Sequence, residues 1–99
     1  MKIKKASPAC ASQLKILADP TRLSVLETLM NGPQNVGDLM EQLDVEQSLL
    51  SHHLAILRDA GLVAATREGK SMIYQLAETV SDSAAGKAIN LGCCKISFD

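Results

Sequence analysis

The chain has 99 residues, a net charge of −1, 46% apolar residues and only 2% aromatic, Tyr74 and Phe98 being its two rings. That length holds one domain and leaves little room for a large substrate pocket beside its own core. The near-neutral balance argues neither for nor against a polyanionic partner, so any nucleic-acid contact must rest on local charge and on a motif.

With so few aromatics the core falls to Leu, Ile, Val, Met and Ala, a composition that leans towards helix. The opening "MKIKKASPAC" has the lysines of a signal but no apolar stretch after them. No run approaches the roughly 18 apolar residues of a membrane span. A cytoplasmic protein without membrane contact is expected. Residues 1–6 read as a basic arm, with Lys2, Lys4 and Lys5 as non-specific cations, and residues 92–99 as a cysteine-bearing tail on a single domain spanning 1–99.

In chain order, Ser7 and Pro8 form a cap and first-turn pair that opens a helix through "ACASQLKILA". Asp19 and Pro20 repeat the signal ahead of "TRLSVLETLMN", whose Leu23, Leu26, Leu29 and Met30 share a face until Gly32 and Pro33 stop it. Asn35 caps a short third helix, "VGDLMEQLD", with Asp38 near its free amides. The tight stretch "DVE" leads to a fourth helix, "QSLLSHHLAILRDA", ended by Gly61. The period then changes from 3.6 to 2: "LVAATR" and "SMIYQL" flank "EGK" as a β-hairpin, Gly69 supplying its positive-φ position. Beyond it "AAGKAINL" predicts a last helix, capped by Asp82 or Ser83 and ended by Gly92. The order α-α-α-α-β-β-α is a mainly α winged helix-turn-helix.

On the fourth helix Leu50, His53, Leu54 and Leu57 fall on one stripe, while Gln47, Ser48, Ser51, His52 and Arg58 fall opposite. Short hydrogen-bonding side chains near a helix start suit entry into the DNA major groove, where long ones would hold the helix off the base edges. Alone, such a face is more often merely solvated; its place after a short helix and before a hairpin points to Gln47, Ser48, Ser51 and His52 as base-facing residues. His53, on the apolar stripe, reads as a packed structural histidine. Arg67 and Lys70 bracket the hairpin tip within reach of phosphates, with Glu68 between them weakening the field.

Three blocks, "LKILADPTRLSVLETLM", "VGDLMEQLDVEQSLLSHHLAILRDAGLV" and "REGKSMIYQL", resemble the ArsR/SmtB family of metal- and metalloid-responsive repressors over residues 12–77. The resemblance implies a homodimer joined by its first and last helices, bound to a palindromic operator and released by a ligand. It puts Gln47, Ser48, Ser51 and His52 in the major groove and Arg67 and Lys70 on the wing. Glu46 departs from the helix-capping Ser usual there. The family's cysteine-bearing box in the third helix reads "NVGDL" here, with Asn35 and Gly37 in the cysteine places, and no histidine follows Tyr74, so neither of the family's metal sites on the third or last helix is expected.

The three cysteines lie instead at the ends: Cys10, Cys93 and Cys94. If the first and last helices pair in a dimer, these thiols meet, within one subunit or between two. Three soft sulfurs with no imidazole or carboxylate suit a trivalent metalloid, As(III) or Sb(III), as inducer; zinc, nickel and cobalt are disfavoured. Cadmium, lead, or a redox or persulfide signal joining Cys10 to one of the tail pair are the alternatives, and buried cysteine as a small hydrophobe is the bland reading of Cys10. From another class, the same fold serves as a protein-interaction module. An enzyme is not expected, since no feature activates Cys93 or Cys94.

Overall fold

The computed structural model describes residues 8–81 and 88–98. Helices α1 (Pro8–Leu17) and α2 (Pro20–Leu29) meet at Asp19, whose Oδ1 accepts the Arg22 N–H at 3.0 Å and caps α2, with Pro20 in the first turn. The Ser7 cap and the lysines of the arm lie outside the described residues.

Helix α3 (Val36–Leu43) starts at Asn35, whose Oδ1 accepts the Asp38 N–H at 2.7 Å. It ends at Asp44 in the left-handed region, φ 53°, a conformation that Asp tolerates better than most residues. That bend turns the chain directly into α4 (Gln47–Asp59). Glu46 sits at the cap of α4 and makes no side-chain cap bond.

Strands β2 (Val63–Glu68) and β3 (Ser71–Leu76) pair antiparallel, Val63 opposite Leu76 and Glu68 opposite Ser71. A third strand, β1 (Gln34–Asn35), lies on the free edge of β3, giving the order β1-β3-β2. The sequence shows no sign of it because two residues carry no period. Gln42 Nε2 donates to Gln34 Oε1 at 3.0 Å and ties β1 to α3.

The core lies where α2, α3 and α4 converge under the sheet. Leu26, Leu39, Leu50, Leu54, Leu57 and Leu62 are fully buried, and each such side chain stabilises the fold by about 1.5–3 kcal/mol relative to exposure. Leucine does the packing that aromatic rings do elsewhere.

The expected last helix is corrected over its described part. Residues 88–90 form strand β4 (Ala88–Asn90), paired antiparallel with β5 (Lys95–Ser97), Ile89 opposite Ile96; the rest of that expectation, residues 84–87 with the Asp82 or Ser83 cap, lies outside the described residues. The physical reason is local. Ile89 is fully buried, Asn90 N–H donates to the Val80 carbonyl at 3.0 Å, and Leu91 N–H donates to the Cys94 carbonyl at 2.8 Å. Gly92, with φ 87°, then occupies the first place of a two-residue hairpin loop, where a type II′ turn requires glycine. Asn90 Oδ1 accepts the Gly92 N–H at 2.8 Å and fixes the loop. A dimer joined by first and last helices therefore loses the second of them among the described residues.

Candidate functional site

Two sites are built on this frame. The first is the outer face of α4 with the wing. Burying Leu50, Leu54 and Leu57 turns Gln47, Ser48, Ser51 and His52 outward, and all four are exposed. Arg67, on β2, and Lys70, in the turn, are exposed as well. Gln47, Ser51, Lys70 and Ser71 line one cleft of about 510 Å³, with Asn35 and Gly37 on its α3 side. Recognition helix and wing thus open onto a shared concave surface lined by hydroxyls, amides and one ammonium together with the apolar Val36, Met40 and Met72.

His53 takes the opposite side of α4 and is buried, its ring edge-on to His52 at 5.5 Å between centroids. Its Nδ1 lies 4.0 Å from Asp19 Oδ1, and Arg22 Nη2 lies 4.0 Å from Asp19 Oδ2. The Arg22 backbone N–H holds the Asp19 carboxyl below its ordinary value; partial burial opposes this, and the charges of His53 and Arg22 add to the lowering. The residue that caps α2 therefore also faces the recognition helix. In the sequence Asp19 marks only a helix start, and the polar His53 inside an apolar stripe is the one sign that something ionic faces it.

The second site gathers the ends of the described chain. Cys10 on α1 and Cys93 in the β4–β5 loop form a disulfide within one chain, Cα atoms 6.0 Å apart across 83 positions. Cys94 is a free, half-buried thiol, its Sγ 4.0 Å from Cys10 Sγ and 4.0 Å from Cys93 Sγ. The three sulfurs lie within 4.8 Å of one another. They converge because the hairpin, not a helix pair across a dimer, carries the tail thiols back to α1. No histidine or carboxylate joins that cluster among the described residues. In the family's cysteine-box position, Asn35 is engaged as the cap of α3.

A helix-turn-helix with a β wing and an outward polar recognition face defines the class: a winged helix transcriptional regulator. The family model described as "Bacterial regulatory protein, arsR family" matches residues 19–65. The HTH-type transcriptional regulator NmtR of Mycobacterium tuberculosis is 47% identical over 75 residues, which cover 76% of this chain and 62% of that protein. The biofilm growth-associated repressor of Xylella fastidiosa is 31% identical over 93 residues, 94% of this chain and 82% of that one. Among solved structures, HlyU from Vibrio cholerae superposes with a TM-score of 0.71 at 38% identity, covering 78% of this chain and 84% of that one. Its reduced form superposes at 0.69 with 38% identity over 72% and 75%. The chain belongs to the arsR family, whose members are regulators and not enzymes. It spans 62% of the length of NmtR.

Proposed function

We propose that this protein is a homodimeric repressor that binds a palindromic operator and is released when As(III) or Sb(III) is bound by Cys10, Cys93 and Cys94. The observation that carries the reading is the convergence of three sulfurs, from positions 83 and 84 apart in sequence, within 4.8 Å. An all-sulfur donor set fits a soft, thiophilic ion and disfavours harder divalent metals. The ion supplies three metal–sulfur bonds in place of the present S–S bond, so the Cys10–Cys93 disulfide must first be reduced to two thiols. Gln47, Ser48, Ser51 and His52 are assigned to base edges, and Arg67 and Lys70 to phosphates. Helix α1 is assigned to the dimer interface, which its 42%-exposed Leu14 favours.

Coupling follows from what the cluster joins. Cys10 is part of α1, while the tail pair is tied through Asn90 to Val80, and Ala77 N–H donates to the Leu62 carbonyl just beyond α4. Moving the tail against α1 changes the spacing of two recognition helices, and half-sites on DNA tolerate little change. Couplings of about 1–3 kcal/mol are usual for such switches.

A second reading, release by oxidation, is favoured by the Cys10–Cys93 bond and accords with the existence of a reduced form of HlyU among the structural relatives. One experiment separates the readings. DNA upstream of the protein's own gene is retained by reduced protein in a gel shift, then challenged with As(III), Sb(III), Cd(II), Pb(II), Zn(II), persulfide and a thiol oxidant. Arsenite should release wild-type protein and leave Cys10→Ser, Cys93→Ser and Cys94→Ser bound. If all three variants still release, the three-thiol site is wrong; release by oxidant alone selects the second reading. Absence of specific retention selects the protein-interaction module. Gln47→Ala and Ser51→Ala should each weaken retention.

A further inference from the structure

The cluster holds one sulfur more than its bond uses. Cys94 keeps a free thiol 4.0 Å from each sulfur of the Cys10–Cys93 disulfide, and a thiolate beside a disulfide is a nucleophile facing its substrate. We propose that Cys94 is a resident exchange thiol, which carries the bond at Cys10 from Cys93 to itself and back, so that the oxidised protein exists as two interconverting isomers.

The backbone limits what else this thiol can do. The Cys94 carbonyl accepts the Leu91 N–H, and the Gly92 N–H is held by Asn90, so the main chain of the loop is pinned and the thiol moves chiefly by side-chain rotation. Its equal distances place it beside the bond, not at its end. A turn of the Cys94 side chain precedes attack along the S–S axis. Attack on Cys93 would join neighbours whose Cα atoms are only about 3.8 Å apart, below the roughly 4.4 Å lower bound for ordinary disulfides. Attack therefore falls on Cys10.

The step balances without any oxidant. Cys94 gives its proton to solvent, its thiolate attacks Cys10 Sγ, and the Cys94–Cys10 bond forms as the Cys10–Cys93 bond breaks. Cys93 leaves as thiolate and takes a proton from solvent. Since Cys93 is exposed and Cys94 only half-buried, exchange carries the free thiol outward, to the position where external thiols and thiophilic ions arrive. The proposal goes beyond the sensory reading and stands apart from it, for exchange needs neither DNA nor inducer.

The test starts from full-length oxidised protein held in acid, where exchange is arrested. The pH is raised to mildly alkaline values without oxidant or reductant, samples are quenched in acid, the free thiol is labelled, and the peptide from Ala88 to Lys95 is sequenced by mass spectrometry with its Cys10 cross-link. The label should shift from Cys94 to Cys93 within about an hour, inside the minutes-to-hours range of disulfide rearrangement, and a Cys10–Cys94 cross-link should appear. The Cys94→Ala protein should keep the Cys10–Cys93 link unchanged. Label confined to Cys94 throughout overturns the proposal, as does oxidised protein that lacks the Cys10–Cys93 bond at the outset. A shift whose rate rises with protein concentration is exchange between molecules and overturns it too. Operator release by arsenite in the same preparations reports on the sensory reading independently.

Discussion

The body that carries the recognition helix and the region that carries the cysteines share one core but differ in how much of their hold is packing and how much is sulfur. In the first, six fully buried leucines from α2, α3, α4 and the segment after α4 interlock. In the second, among the described residues, two three-residue strands and a disulfide fasten a small hairpin whose Ile89 enters the same core, with Leu91, Ile96 and Phe98 partly buried against it. A region secured by packing responds little to solution chemistry. A region that also depends on sulfur responds directly to whatever reduces, oxidises or ligates it. Under the proposed function, the contrast places rigidity at the face assigned to DNA and lability at the cluster assigned to the inducer.

The largest expected effect breaks the packed region. Leu54→Ala should cost about 2–5 kcal/mol of unfolding free energy by loss of transfer energy and creation of a cavity, read by urea denaturation. Reducing the Cys10–Cys93 bond should cost about 2–4 kcal/mol, because the bond closes a long loop of the unfolded chain. Combining the two sharpens the comparison. If the regions are independent, the Leu54→Ala and Cys10→Ser effects add to within about 0.5 kcal/mol; a larger discrepancy means that sulfur and leucine support one cooperative unit.

Glu46→Ser should gain about 0.5–1 kcal/mol, because the cap of α4 now lacks any side-chain bond and Ser supplies one. The same change removes an acid near the proposed DNA face, so retention in a gel shift should tighten. The smallest effect concerns acid. The folded-state pKa of Asp19 is lowered from 3.8, so the unfolded chain takes up this proton first as pH falls. Its contribution is therefore fully present above that value and lost as pH drops through the lower folded value. Asp19→Asn, which keeps a cap acceptor, should show a shallower acid loss between those limits in pH-dependent denaturation.

The four helices and the wing were legible because each carries a strong local signal: Asp19–Pro20 and Asn35 at helix starts, leucines at helical spacing, Gly69 between alternating runs. The tail was not. "AINL" has helical composition, and only Gly92 beside Asn90, with isoleucines at 89 and 96, marks a hairpin. Strand β1 is too short to have any pattern, and it exists because β3 offers an unpaired edge. The cysteines were recognised as one set, but their meeting was expected from paired helices. A folded-back loop within a single chain achieves it instead. The link between Asp19 and His53 spans α2 and α4; a polar residue in an apolar stripe hints that His53 has a partner, but no local pattern says which residue it is.

One consequence of the Cys10–Cys93 bond reaches beyond the cluster. Everything from Cys10 to Cys93 lies inside a covalently closed ring, including the exposed wing turn at Gly69 and Lys70. A protease that clips that turn leaves its two fragments fastened together, running as one band until a reductant is added. In the oxidised state, backbone scission at the wing does not release either half of the molecule.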